Sequence, residues 1–112
     1  MNLKNFKTFQ LANDFYQNCS KIKLPLHLKD QLNRASSSIA LNLAEGSGKS
    51  SPKDRKRFYS IALGSLRESK AILILANINN PQLENLSDQL GACLYTLINK
   101  SPSSNAPVLK SE

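Results

Sequence analysis

Arg34-Ala-Ser-Ser-Ser-Ile-Ala-Leu-Asn-Leu-Ala-Glu-Gly-Ser-Gly-Lys49 is the stretch that decides the fold. With Leu28 and Leu32 before it, the residues Ala35, Ile39 and Leu43 step by three or four, the period of a helix face buried in a core. Ala40, Leu41 and Ala44 fall off that stripe, so this helix is apolar over much of its circumference. One neighbour cannot cover such a helix, which predicts a central position, packed by other helices or by another subunit. Its polar residues, Arg34, Ser38, Asn42 and Glu45, recur at helical spacing and form a second line.

Working outward, Leu11, Phe15 and Ile22, with Ala12, Tyr16 and Cys19 beside them, predict a first helix from about Lys4 to Cys19. Leu24-Pro25 breaks it, because proline disfavours a helical residue before it but suits the first turn of the next helix. The second helix then runs from about Leu26 to Glu45, with Gly46 placed as a left-handed C-cap. Ser51, Pro52 and Asp54 read as N-cap, N1 and N3 of a third helix, about Pro52 to Ile78, whose stripe is Phe58, Ile61, Ala62, Ser65, Ser69, Ile72 and Ala76. Asn79-Asn80-Pro81 restarts the chain, and Leu83, Leu86, Leu90, Cys93, Leu94 and Leu97 give a fourth helix to about Lys100.

Four helices, short connections and no strand signal predict an all-α, antiparallel up-down-up-down four-helix bundle over residues 1–100. Residues 101–112 have the Ser/Pro/Asn composition of a disordered C-terminal tail. The whole chain of 112 residues is sized for one domain that needs no staples. Cys19 and Cys93 stand singly, which fits a reducing compartment, and no apolar run is long enough to span a bilayer. The expected location is the cytoplasm, with no membrane association.

Most chemical motifs dissolve on inspection. Gly48-Lys49-Ser50 resembles the end of a phosphate-binding loop, but Leu43 stands where that pattern needs glycine, inside a helix. His27 is the one histidine, too few for the Glu-x-x-His pairs of a bundle metal site. Ser50-x-x-Lys53 has a nucleophile's spacing in a polar loop without companion motifs. The expectation is therefore no enzyme, no metal and no cofactor.

The charge balance says more. Fifteen Lys and Arg against eight Asp and Glu give a formal charge of +7, which favours a polyanionic partner. An up-down bundle gathers the start of the first helix, the turn between the second and third, and the end of the fourth at one end. That end is expected to carry Lys4, Lys7, Lys49, Lys53, Arg55, Lys56, Arg57 and Lys100 against Glu45 and Asp54. With no aromatic platform among them, they predict backbone contacts with little sequence preference.

If the second and third helices are antiparallel, positions whose numbers sum to about 102 lie level. That register sets Ser38 beside Gly64 and Ser65, Gly64 letting two backbones approach, and Glu45 beside Arg57. It also sets Arg34 beside Glu68, as a partly buried bidentate ion pair. The Tyr59, Leu63 and Leu66 side of the third helix, with the second helix, offers more apolar area than one core absorbs, which predicts self-association.

Arg34-Ala35, Ser38-Ile39, Asn42, Ala44-Glu45-Gly46, Phe58, Ile61-Ala62, Gly64-Ser65 and Glu68 together resemble the signature of the small bacterial four helix bundle protein family. That family includes proteins encoded in intervening sequences of large-subunit ribosomal RNA genes and is similar to the accessory variability protein of diversity-generating retroelements. The resemblance covers about Leu3 to Leu97, and departs where Lys49 stands in place of a common arginine. It implies a homopentameric ring with a basic surface for nucleic acid (RNA or DNA) or for a nucleic-acid enzyme such as a reverse transcriptase. The expected function is a non-enzymatic accessory of a ribonucleoprotein or such an enzyme; the alternative is a purely structural oligomeric scaffold for a protein partner.

Overall fold

A computed structural model describes residues 2–100; the predicted tail lies outside the described residues. A short 3-10 turn, Leu3–Asn5, precedes four helices: α1 Lys7–Ser20, α2 Leu26–Ser47, α3 Pro52–Leu75 and α4 Pro81–Lys100. The fold is the expected all-α four-helix bundle, and no helix among the described residues is long and apolar enough to cross a membrane.

The helix boundaries follow local chemistry, and three of them differ from expectation. Phe6 has extended backbone, φ −90° and ψ 102°, so it separates the 3-10 turn from α1, where one continuous helix from Lys4 is expected. α2 runs two residues past Glu45: Gly46 stays helical, Gly48 is the C-cap, and no described glycine has positive φ. α3 begins as predicted, with Ser51 Oγ accepting from the Asp54 amide at 3.3 Å and proline in the first turn. It ends at Leu75, three residues early, because Asn77 takes the left-handed conformation at φ 57°. The Ile78 amide then donates to the Leu73 carbonyl at 2.9 Å and the Asn77 amide to that of Ile74 at 3.0 Å. This is the pair of bonds that closes a helix on a left-handed residue, with asparagine in the usual place of glycine.

The core is built from Ala12, Phe15 and Cys19 of α1, Leu32, Ala35, Ile39 and Leu43 of α2, Tyr59, Ala62, Leu66 and Ile72 of α3, and Leu83, Leu90 and Leu94 of α4. Buried serines bond backward to their own helices: Ser36 Oγ donates to the Leu32 carbonyl at 2.7 Å and Ser69 Oγ to that of Ser65 at 2.9 Å. Their hydroxyls thus enter the core without an unmet donor. On α3 the buried stripe keeps the expected Ala62, Ser69 and Ile72 but takes Tyr59 and Leu66 in place of Phe58 and Ser65. Tyr59 and Leu66 are inside, so they supply no surplus apolar patch, while Phe58 is half-buried and Ile61 remains 43% exposed.

α2 and α3 are antiparallel in the inferred register. Ser65 Oγ donates to Ser38 Oγ at 2.9 Å, and Asn42 Nδ2 donates to the same Ser38 oxygen at 3.0 Å. Nearer the turn, a Cβ placed on Gly46 would lie 2.7 Å from Tyr59 Cε1 and 3.1 Å from Phe58 Cβ. Gly46 is thus the glycine that close helix approach requires. Gly64 is not, because its side is open, with no atom within 4 Å of such a Cβ.

Candidate nucleic-acid interface

The α2–α3 turn carries most of the predicted basic end. Arg55 closes the turn, its guanidinium donating to the carbonyls of Lys49 at 3.1 Å and Ser50 at 3.0 Å. Arg55 is therefore half-buried and committed to the fold with one nitrogen. Beneath it, Tyr59 fills the space left by Gly46 and stacks at a tilt on Phe6, ring centroids 6.5 Å apart. Burial pushes the Tyr59 hydroxyl's pKa up, and the nearby Arg55 charge partly opposes that shift. A neutral phenol thus joins the segment before α1 to the start of α3.

The structure brings Lys49, Lys53, Arg55, Lys56 and Arg57 together on this turn and the first two turns of α3, with Lys53, Lys56 and Arg57 exposed. The Phe6–Tyr59 contact places Lys4 and Lys7, both exposed, beside them. Lys100 closes α4 and is exposed, and no hydrogen bond or ion pair among the described residues links it to the group. Glu45 does not meet Arg57. Its carboxylate pairs with Lys49 one turn on, at 3.2 Å, which supplies the cation that a carboxylate near a helix C-terminus calls for.

Phe58 is the residue sequence reasoning missed. Assigned by periodicity to the core stripe, it lies outside the core, with Arg57 Cζ 4.5 Å and Lys49 Nζ 5.2 Å from its ring centroid. The basic end therefore does contain an aromatic ring. Its signal was the neighbouring aromatic pair Phe58-Tyr59, of which one helical face can bury only one.

The second polar line divides in two. Ser38, Asn42 and Ser65 form the hydrogen-bonded group between α2 and α3. Arg34 and Glu68 are both exposed, and the expected buried pair is not formed: Glu45–Lys49 is the one ion pair among the described residues. Both charges face outward with Leu41, 66% exposed, and Ile61, which lie level in the same register. The inward face of α3 runs through Tyr59, Ala62, Leu66, Ser69 and Ile72, which leaves Ile61 and Glu68 on its outward side. At the start of α2, His27 is exposed. Cys19 is buried and Cys93 half-buried, and burial pushes the Cys19 thiol up to about 12, against the nearby Lys29 charge.

The family model described as 23S rRNA-intervening sequence protein matches residues 4–100. No curated protein matches the chain, and no solved structure does.

Proposed function

We propose that this chain, which belongs to the family of 23S rRNA-intervening sequence proteins, is a non-enzymatic module that binds the backbone of RNA or DNA at its basic end. It acts, in this reading, in the cytoplasm as an accessory to a ribonucleoprotein or a nucleic-acid enzyme such as a reverse transcriptase. One observation carries the proposal: Lys53, Arg55, Lys56 and Arg57 occupy the first two turns of α3 against a single acidic residue, Asp54. The N-terminus of a helix carries partial positive charge over its first turn, so a cation left exposed there, as Lys53 is, costs stability, typically about 0.3–1 kcal/mol. Cations held where they oppose the fold favour an anionic partner, to which the helix terminus itself adds attraction. Each phosphate neutralised contributes roughly 0.7 to 0.9 to the salt slope of log affinity.

Self-association belongs to the same reading. Leu41 and Ile61 are both exposed, on α2 and α3, and level in the register, and Arg34 and Glu68 are exposed two turns away, a surface suited to a second copy. A closed ring, five copies in the family resembled, would repeat the basic end around its axis. The same patch favours the second reading, a scaffold for a protein partner without nucleic-acid binding.

Fluorescence anisotropy with a labelled RNA, titrated across salt, separates the two. The first reading expects binding that weakens steeply with salt, and a Lys53→Ala/Lys56→Ala variant with lower affinity and a shallower slope. Unchanged affinity and slope in that variant would discard this end as the binding surface.

A further inference from the structure

Phe58 is half-buried but stands outside the core cluster. Its Cβ lies close to Gly46, and Lys49 and Arg57 both bring their charges over its ring, at 5.2 and 4.5 Å from the centroid. These are the cation–ring contacts among the described residues, and both fall on Phe58, an aromatic outside the core cluster. Lys49 is in turn held by Glu45 at 3.2 Å, and Arg57 is exposed. An aromatic ring with two cations at it matches a particular chemistry. Bases of a single strand stack on such rings while neighbouring cations take the phosphates, and every base has a face to offer. In a duplex the faces are already stacked on each other, and only phosphates, sugars and groove edges are presented.

We propose that Phe58 is a base-stacking platform and that the basic end therefore selects single-stranded nucleic acid over duplex. This rests on the nucleic-acid reading of the same end and names its substrate class. Lys49 and Arg57 leave the ring for the phosphates on either side of the stacked base. The ring adds affinity without neutralising charge, so its contribution is independent of salt.

The test uses the full chain with two probes of equal length, a fluorescein-labelled oligouridylate and a labelled RNA duplex, from about 50 to 200 mM salt. The unmodified chain is expected to bind the single strand more tightly. Phe58→Leu is expected to weaken single-strand binding about 5- to 150-fold, leave the duplex affinity and both salt slopes unchanged, and keep the sedimentation coefficient; Phe58→Tyr is expected to retain single-strand affinity. Equal losses on both probes, or single-strand affinity untouched by Phe58→Leu, overturn the stacking role while the basic-end reading stands. A changed sedimentation coefficient with unchanged selectivity assigns Phe58 to contact with a second copy and overturns it too. Absence of salt-dependent binding by the unmodified chain removes the basic-end reading and this inference with it.

Discussion

A lysine at one end of the bundle sits where electrostatics favours it, and four cations at the other sit where electrostatics does not. Lys29, near the start of α2, reaches the C-terminus of α1 and donates to the carbonyls of Ser20 at 2.5 Å and Ile22 at 2.7 Å. A cation there satisfies carbonyls left over by the helix and meets the negative end of its dipole. Lys53, Arg55, Lys56 and Arg57 crowd the positive end of α3, and of the four only Arg55 closes hydrogen bonds with the backbone. The difference teaches how to sort a basic protein's charges. Those that complete the backbone's hydrogen bonds belong to the fold, and those left exposed against the helix dipole are free for a partner.

The largest effect expected from this contrast is at Lys29. Lys29→Met keeps the stem and removes the charged donor, leaving two carbonyls unmet, and should cost about 1.5–3 kcal/mol in denaturant unfolding. Lys53→Ala/Lys56→Ala should be neutral or raise stability by up to about 1 kcal/mol, since it relieves the dipole. The contrast breaks if Lys29→Met is silent or if the double variant unfolds more easily than the parent.

Two glycines sharpen it next. At the basic end Gly46→Ala forces a methyl against the buried Tyr59 ring and should destabilise by about 1–3 kcal/mol. Gly64→Ala, in open space on α3, should gain up to about 1 kcal/mol from helix propensity. A melting temperature that falls for Gly64→Ala, or holds for Gly46→Ala, would contradict the packing of α2 on α3.

At the Lys29 end, the buried Cys19 thiol gives that end a pH signature. Its pKa is pushed up to about 12 from an ordinary 9.0, so the folded state holds the proton more tightly than the unfolded chain. Stability from this group is complete below pH 9 and lost as pH rises from there toward 12, at no more than about 1.4 kcal/mol per pH unit. Cys19→Ala should flatten the stability profile in that window, and a profile equally steep in the variant would assign the loss to other groups. In native protein, Cys93 should react with a thiol reagent well before Cys19.

The bundle was legible because its signals are local and redundant. Pro25, Ser51-Pro52 and Asn80-Pro81 punctuate apolar stripes of helical period, so helix number and order hardly depend on any one residue. The register was legible as well, and Ser38 meets Ser65 where the turn places it. What periodicity could not decide is which of two adjacent apolar residues enters the core. Phe58 and Tyr59 both fit a stripe on α3, and the choice falls to Tyr59 because Gly46 leaves a gap that a ring can fill. With Tyr59 and Leu66 inside, Ile61, Gly64 and Glu68 are turned outward, and the predicted buried charge pair is not formed. The basic end was legible as a cluster, but not the division of labour within it, since Arg55 and Lys53 look alike until their partners are seen.

The smallest effect is expected midway between the ends, at Arg34 and Glu68. The register brings the two level, but both are exposed with no partner within ion-pair distance, so their charges remain hydrated. An exposed pair of this kind contributes at most about 1 kcal/mol, and often nothing measurable. In dilute solution, then, Glu68→Ala should shift unfolding by less than about 0.5 kcal/mol, and Arg34→Leu should add to it without coupling. The pair is more telling at higher concentration. If Leu41 and Ile61 meet a second copy, Arg34 and Glu68 stand two turns from that contact, and association stabilises the folded chain by mass action. Glu68→Ala should then lower the melting temperature only where the parent's melting temperature rises with concentration. A strong loss in dilute solution would mean that Glu68 serves the single bundle after all, and would place it with Lys29 among the charges that belong to the fold.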